Sequence, residues 1–242
     1  MRGSRKAVAR ATELAFLGRF TGSLSTLDDV PSSEQSLWVR AYVASSRGEF
    51  TTARALCEPL AASARSRQVR VAAAITLASV LRQTSRHAAA ERWDRVALEQ
   101  ARADVERAHA LIGLAADAIG RGRVSACEAR LAEAGAFGLE EDWRVHVRLD
   151  WVRVERALTI GRARDGLAPG RSAVRRSRKA DALRHVAKSR LFYGVALADA
   201  GFAAAAQREL SAAARGARAC GAGRVARVAH TVLEQKAMQV AG

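Results

Sequence analysis

The side chains of this chain that could transfer a proton, hold a metal or attack a carbonyl are few and scattered. Its five histidines, His87, His109, His146, His185 and His230, fall one to a segment, and none forms an HExxH pair. Cys57, Cys127 and Cys220 lie too far apart for the paired spacing of a zinc site. There is no GxxxxGK(S/T) loop and no GxSxG elbow. The run Gly221-Ala222-Gly223-Arg224-Val225-Ala226 fits GxGxxA in letters. It separates two helical patterns rather than following a strand, which reads as a helix stop and restart. Glu140, Glu141 and Asp142 cluster before Trp143, where negative charge complements a helix N-terminus without any chemistry. The sequence therefore implies no enzyme, no cofactor and no metal. A pocket pairing His109 with an acid from another repeat is what would restore a catalytic reading.

Binding chemistry is better represented. The formal net charge is +16, from 40 basic and 24 acidic residues, and all but four of the basic residues are arginine. Such a balance favours polyanions or acidic protein faces; it also fits the usage of an Arg/Ala-rich genome. Residues 162–190 hold ten basic side chains against Asp165 and Asp181, which is half the net charge. Arg171, Arg175 and Arg178 share one helical face. With Arg176, Lys179 and Arg184 they form a candidate basic patch for nucleic-acid phosphate or an acidic partner; a solvated face without a ligand is the plain alternative. No aromatic is interleaved before Phe192 and Tyr193, so base stacking is poorly served. Trp38, Tyr42 and Trp151 are of the type that anchors protein interfaces, or are ordinary core.

The elements that must position these residues are helices. Hydrophobic content is 49%, aromatics are 5% and there are three prolines. Leu, Ala and Val recur at spacings of three and four rather than two, which predicts an all-α fold. No apolar run approaches the roughly 20 residues of a membrane span, and the N-terminal stretch does not read as a signal peptide, since Glu13 and Arg19 interrupt its apolar part. Three unpaired thiols in apolar helical patterns suit a reducing, cytoplasmic setting.

One unit recurs. Its clearest copy is residues 191–213, two short helical patterns about Gly201. Small residues at Gly18, Gly48, Ser85, Gly122, Gly161 and Gly201, spaced by 30, 37, 37, 39 and 40, are each followed five positions later by another: Ser23, Ala53, Ala90, Cys127, Gly166 and Ala206. Seven positions before them stand Ala11, Ala41, Ala78, Ala115, Val154 and Gly194, and four before stand Leu14, Ala44, Leu81, Ala118, Ala157 and Leu197. Two antiparallel helices cross closely where both carry small side chains, and a residue in the left-handed region ends the first. One hairpin cannot bury its own apolar face, so neighbours must stack.

The pattern resembles the tetratricopeptide repeat (TPR), on Gly194, Leu197, Gly201, Ala206 and Ala213 in the last copy and on Leu114, Ala115, Ala118, Gly122, Leu131 and Ala134 in the fourth. Most copies lack the aromatics and closing proline of that family, and the period usually exceeds its 34 residues. Spacing alone also fits a general α-solenoid or an irregular helical bundle. The resemblance implies a right-handed TPR-like superhelix of about six antiparallel hairpins. It would form a single domain over 1–242, with repeats at 4–28, 32–64, 68–100, 103–134, 143–178 and 181–219 and a C-terminal capping helix at 224–239. Gly166, Pro169 and Gly170 should shorten or delay the second helix of the fifth repeat. In TPR proteins the first helix of each hairpin lines a concave groove. By position this implies a groove carrying Trp38, Tyr42, Arg82, His109, Arg148, Trp151, Glu155 and Lys188. The Lys/Asn constellation that grips a C-terminal carboxylate in some TPR proteins is not recognisable. The C-terminal run from Arg208 to Leu233 also looks like the TPR-like sensor region of large bacterial LuxR-type regulators, without their phosphate loop or DNA-reading domain.

The expected function is a non-enzymatic scaffold that takes a peptide or helix of an acidic partner in a basic, aromatic groove. A transcription-associated regulatory module, or nucleic-acid binding through 162–190, are the alternatives. Neither a membrane role nor an oligomeric state is implied.

Overall fold

The computed structural model describes residues 2–139 and 141–241, with side chains over 3–139 and 141–235. Glu140, one of the three clustered acids, lies outside the described residues. Among the described residues there are thirteen α-helices and one 3-10 turn, and no strand. The chain divides into two compact units, residues 1–139 and 140–242. No helix among the described residues is long and apolar enough to cross a membrane.

The first unit is a row of hairpins: α1 (Arg2–Phe16) with α2 (Phe20–Ser25), α3 (Glu34–Arg47) with α4 (Phe50–Ser63), α5 (Arg67–Gln83) with α6 (His87–Gln100), and α7 (Asp104–Gly120) with α8 (Val124–Gly135). First helices pack side by side, α1 on α3, α3 on α5 and α5 on α7, while α4 and α6 close against the hairpin that follows. The second unit repeats the scheme. It comprises α9 (Trp143–Thr159), a 3-10 turn (Ala163–Gly166) running into α10 (Leu167–Lys179), α11 (Leu183–Asp199), α12 (Ala203–Ala219) and α13 (Gly223–Ala241). Here α9 packs on α11, and α13 packs on α12 and α11.

All six turn positions read from the sequence have left-handed backbone, with φ from 60° at Ser85 to 92° at Gly48. Asp181 and Gly221, which join one hairpin to the next element, adopt it too, at 51° and 75°. The small positions do what close crossing requires. Ala11, Ala41, Ala78, Ala115 and Val154 are all 0% exposed, as are Ser23, Ala53, Ala90 and Cys127 across the turn. The expected disturbance near Gly166 is the 3-10 turn itself. Pro169 then sits in the first turn of α10, where its missing N–H costs nothing.

Caps fix where helices begin. Ser33 accepts the Ser36 N–H at 3.1 Å and Ser36 returns the bond to the Ser33 backbone, a capping box at the start of α3. Asp142 accepts the N–H groups of Arg144 and Val145 and so starts α9. Glu34 ties two hairpins together: its carboxylate accepts the N–H groups of Arg65 and Ser66 in the turn between α4 and α5. Those two bonds hold its carboxyl below the ordinary glutamate range.

At Gly194 the crossing of α11 and α12 leaves no room for a side chain. A Cβ there would meet Leu210 Cγ at 2.7 Å and the Leu210 backbone nitrogen at 3.3 Å. Helix propensity alone favours alanine over glycine by about 1 kcal/mol, whereas overpacking costs about 1–3 kcal/mol. Gly194→Ala should therefore lower the urea midpoint, and an unchanged or raised midpoint would show that the crossing is looser than described.

Candidate functional site

The residues with binding chemistry gather on the first helices of the hairpins, separately in each unit. In the first unit Phe16 on α1 meets Trp38 and Tyr42 on α3 edge-on, with ring centroids 6.1 and 5.2 Å away, and the two α3 rings lie 6.1 Å apart. All three are half-buried. The Trp38 indole N–H donates to Thr76 Oγ1 on α5 at 3.1 Å, so its one polar atom is satisfied within the fold. What remains is an apolar, ring-lined surface.

Arg82 and His109 belong elsewhere. Arg82 closes α5 and turns into the packing of α5, α6 and α7. Its Nη1 lies 2.9 Å from Asp94 and 2.7 Å from Asp117, and donates to the Gly113 carbonyl at 3.1 Å. Both carboxylates are fully buried. Glycines on α7 make this possible: a Cβ at Gly113 would fall 2.2 Å from the Asp94 carboxylate, and one at Gly120 would fall 2.2 Å from the His87 ring. His87 Nδ1 in turn lies 3.6 Å from Asp117. His109 is buried on α7, at 7% exposure. Beside the turn between α7 and α8, Glu91 of α6 collects Arg95, Arg121 and Arg123. Burial pushes its carboxyl up, but the three guanidiniums outweigh that and hold it at about 2.

Asp117 behaves in the opposite sense. Burial raises its carboxyl above the ordinary aspartate range against the pull of Arg82, and Asp94 shares the same guanidinium. Two buried acids facing one guanidinium share a proton more readily than they carry two charges. A group that binds its proton more tightly in the folded state stabilises the fold at low pH, and that contribution is lost as pH rises through its folded value. Asp117→Asn removes the dependence. The melting temperature of the variant relative to the parent should therefore rise as pH increases from the ordinary aspartate range through the raised folded value; a difference that stays flat or falls would mean the pair is fully ionised.

In the second unit α9 and α11 build a face of a different character. Trp151 is buried at 6% exposure and donates its indole N–H to Ser189 Oγ on α11 at 2.9 Å. Ser189 is linked in turn to Ser177 of α10 at 3.1 Å. His185 and Phe192 stack on Trp151 with centroids 5.4 and 5.9 Å away, and Trp143 meets His185 edge-on at 4.9 Å. Lys188 Nζ lies over Trp151 at 4.3 Å and over Phe192 at 5.4 Å, within cation–π range. His185 is held neutral first by burial, then by the charges of Arg184, Arg144, Lys188 and Arg148. Glu155 is half-buried on α9, one turn beyond Trp151. The arrangement is a buried aromatic stack rimmed by cations, suited to a carboxylate or phosphate set beside an apolar group.

The structure thus brings Trp38 together with Tyr42, and Trp151 together with Lys188. Phe16, Trp143, His185 and Phe192 complete these clusters and were absent from the residues expected on the groove. His185, Lys188 and Phe192 do lie at helical spacing on one face of α11, a stripe the sequence displays. The basic residues divide. Arg171, Arg175, Arg178 and Lys179 are exposed. Arg176 is half-buried, with its Nε 3.4 Å from Ser172 Oγ. Arg184 is buried at 8% exposure.

No protein-family model matches the chain, and no curated protein matches it. Among solved structures, the crystal structure of a Rap protein complexed with Competence and Sporulation Factor matches 90% of this chain with a TM-score of 0.62, at 10% sequence identity. The chain spans 66% of the length of that Rap protein. At this identity the likeness establishes the fold: an all-α, TPR-like helical repeat.

Proposed function

We propose that this protein is a non-enzymatic interaction scaffold whose second unit takes a short acidic segment of a partner protein on the face built by α9 and α11. The observation that carries this reading is the stack of Trp151, His185 and Phe192 under Lys188, with Arg144 and Arg148 close enough to bias His185. Trp151 and His185 are themselves buried and position the half-buried Phe192 and Lys188, a ring that offers apolar area at low entropic cost and a cation that selects an anionic group. The half-buried rings Phe16, Trp38 and Tyr42 offer a second, apolar seat in the first unit. The Rap protein of the same fold holds Competence and Sporulation Factor, and a bound partner is the role carried from it to this chain. Cytoplasmic residence is part of the proposal. Cys57, Cys127 and Cys220 are free thiols, and burial pushes Cys57 up to about 12, which leaves it inert.

The test is selection of random peptides on the immobilised full chain, followed by affinity measurement of the enriched sequences. Enriched peptides should pair Asp or Glu with an apolar residue. Lys188→Ala should weaken them about tenfold or more, corresponding to about 1.4 kcal/mol, and Trp151→Ala should do so further. Enrichment of basic peptides, or affinities indifferent to Lys188→Ala, would refute the assignment.

A further inference from the structure

We infer that the exposed face of α10 and α12 is a binding surface for the phosphate backbone of double-stranded nucleic acid, separate from the aromatic face of α9 and α11. Helix α10 carries Arg171, Arg175, Arg176, Arg178 and Lys179 and no acid. Helix α12 carries Arg208, Arg215 and Arg218, with Glu209 as its one acid. Glu209 is half-buried and reaches Arg190 at 3.5 Å, and as the one acid on these two helices it offsets only a small part of their charge. Arg171, Arg175, Arg178 and Lys179 are exposed on α10, and Arg208, Arg215 and Arg218 on α12.

Arginine-rich composition alone does not set where the acids fall. Arg54 by Glu58 on α4, Arg107 by Asp104 on α7 and Arg130 by Glu133 on α8 each stand beside an acid three or four residues away, whereas the exposed Arg5, Arg92 and Arg227 on other helices do not. What marks α10 and α12 is the density of charge: five basic residues and no acid on α10, and three arginines with Glu209 as the one acid on α12. The geometry makes one surface of the two helices. Both pack on α11, and Arg178 and Arg208, from different helices, both act on the Glu209 carboxylate. Along α10 the residues at i, i+4 and i+7 cover about 10 Å of axis, against which a duplex presents a phosphate charge roughly every 1.7 Å.

The rest of the face selects among polyanions. Between the cations lie alanine, serine and glutamine. The exposed large apolar side chains among the described residues are Leu183 and Phe202, which precede or open their helices and lie on the body of neither α10 nor α12. A protein interface needs an apolar or aromatic centre, and a membrane-surface helix needs an apolar face to insert; this surface has neither. It also lacks rings for stacking unpaired bases. A duplex backbone bound through charge, without sequence readout, is what fits.

The test is fluorescence anisotropy of the full chain with labelled duplexes of about 20 bp, DNA and RNA of one sequence, from about 50 to about 300 mM NaCl. With four to seven contacts engaged, the slope of log K against log salt should be about −4 to −6. Combining Arg171→Ala, Arg175→Ala and Arg178→Ala should make that slope shallower by about 3 and weaken binding at least tenfold at about 100 mM salt. These side chains are exposed, so the melting temperature should not move. Removing the same charge at Arg54, Arg107 and Arg130 should leave most of the affinity. The inference is overturned if the duplexes do not bind at low salt. It is overturned equally if the two triple variants lose affinity alike, or if polyglutamate or anionic vesicles displace the duplex at equal charge.

Discussion

Everything in this fold depends on how closely two helix backbones can approach at one crossing per hairpin. The two residues that face each other there, seven before the turn and five after it, have no room to grow, and in the first four hairpins both are fully buried. Once the crossing is tight, the turn between the helices must be short and must reverse at once, which places its residue in the left-handed region. The first helices then pack side by side, so rings at their outward positions come within reach of rings on the next first helix. The aromatic clusters of both units sit on those first helices for this reason.

The two units spend their charge differently. In the first, acids and bases are drawn inward and to the ends of helices: Arg82 between Asp94 and Asp117, Arg67 on Glu106, Glu91 under three arginines. A buried cluster of this kind is weak evidence for stability, because desolvation offsets the attraction. Its effect is selective: Gly113 and Gly120 fit only these partners, which fixes how α6 meets α7. In the second unit most cations stay at the surface or on aromatic rings, Arg184 being buried, and α10 carries no acid while α12 carries Glu209 alone.

The architecture was legible because its constraint is one of size repeated along the chain. Gly18, Gly48, Ser85, Gly122, Gly161 and Gly201 could each be read as a turn, and each is one. The crossings ask for small volume, which alanine, serine, cysteine and glycine all meet in this chain, a demand compatible with a shared fold at 10% identity. The site was legible only in part. Trp38 and Tyr42 stand four apart on one helix, so their meeting follows from periodicity. The engagement of Arg82 was hidden, since Asp94 and Asp117 come from other helices and the glycine that makes room for Asp94 looks like a helix defect in the sequence. Arg184 shows the same limit. It follows the exposed cations of α10 in the chain yet is buried at the start of α11, and charge counting does not register the difference.

Trp38 and Trp151 each stand ten residues before the turn of their own hairpin and each donates an indole proton to a hydroxyl on the next first helix, Thr76 in one unit and Ser189 in the other. The two rings are thus matched spans between adjacent hairpins, one per unit, tied at the far end by a single weak link. Indole emission shifts in colour when that link gives way to water. In a chain left with Trp38 or Trp151 as its one tryptophan of four, the ring becomes an optical strain gauge for the parting of neighbouring hairpins in its own unit.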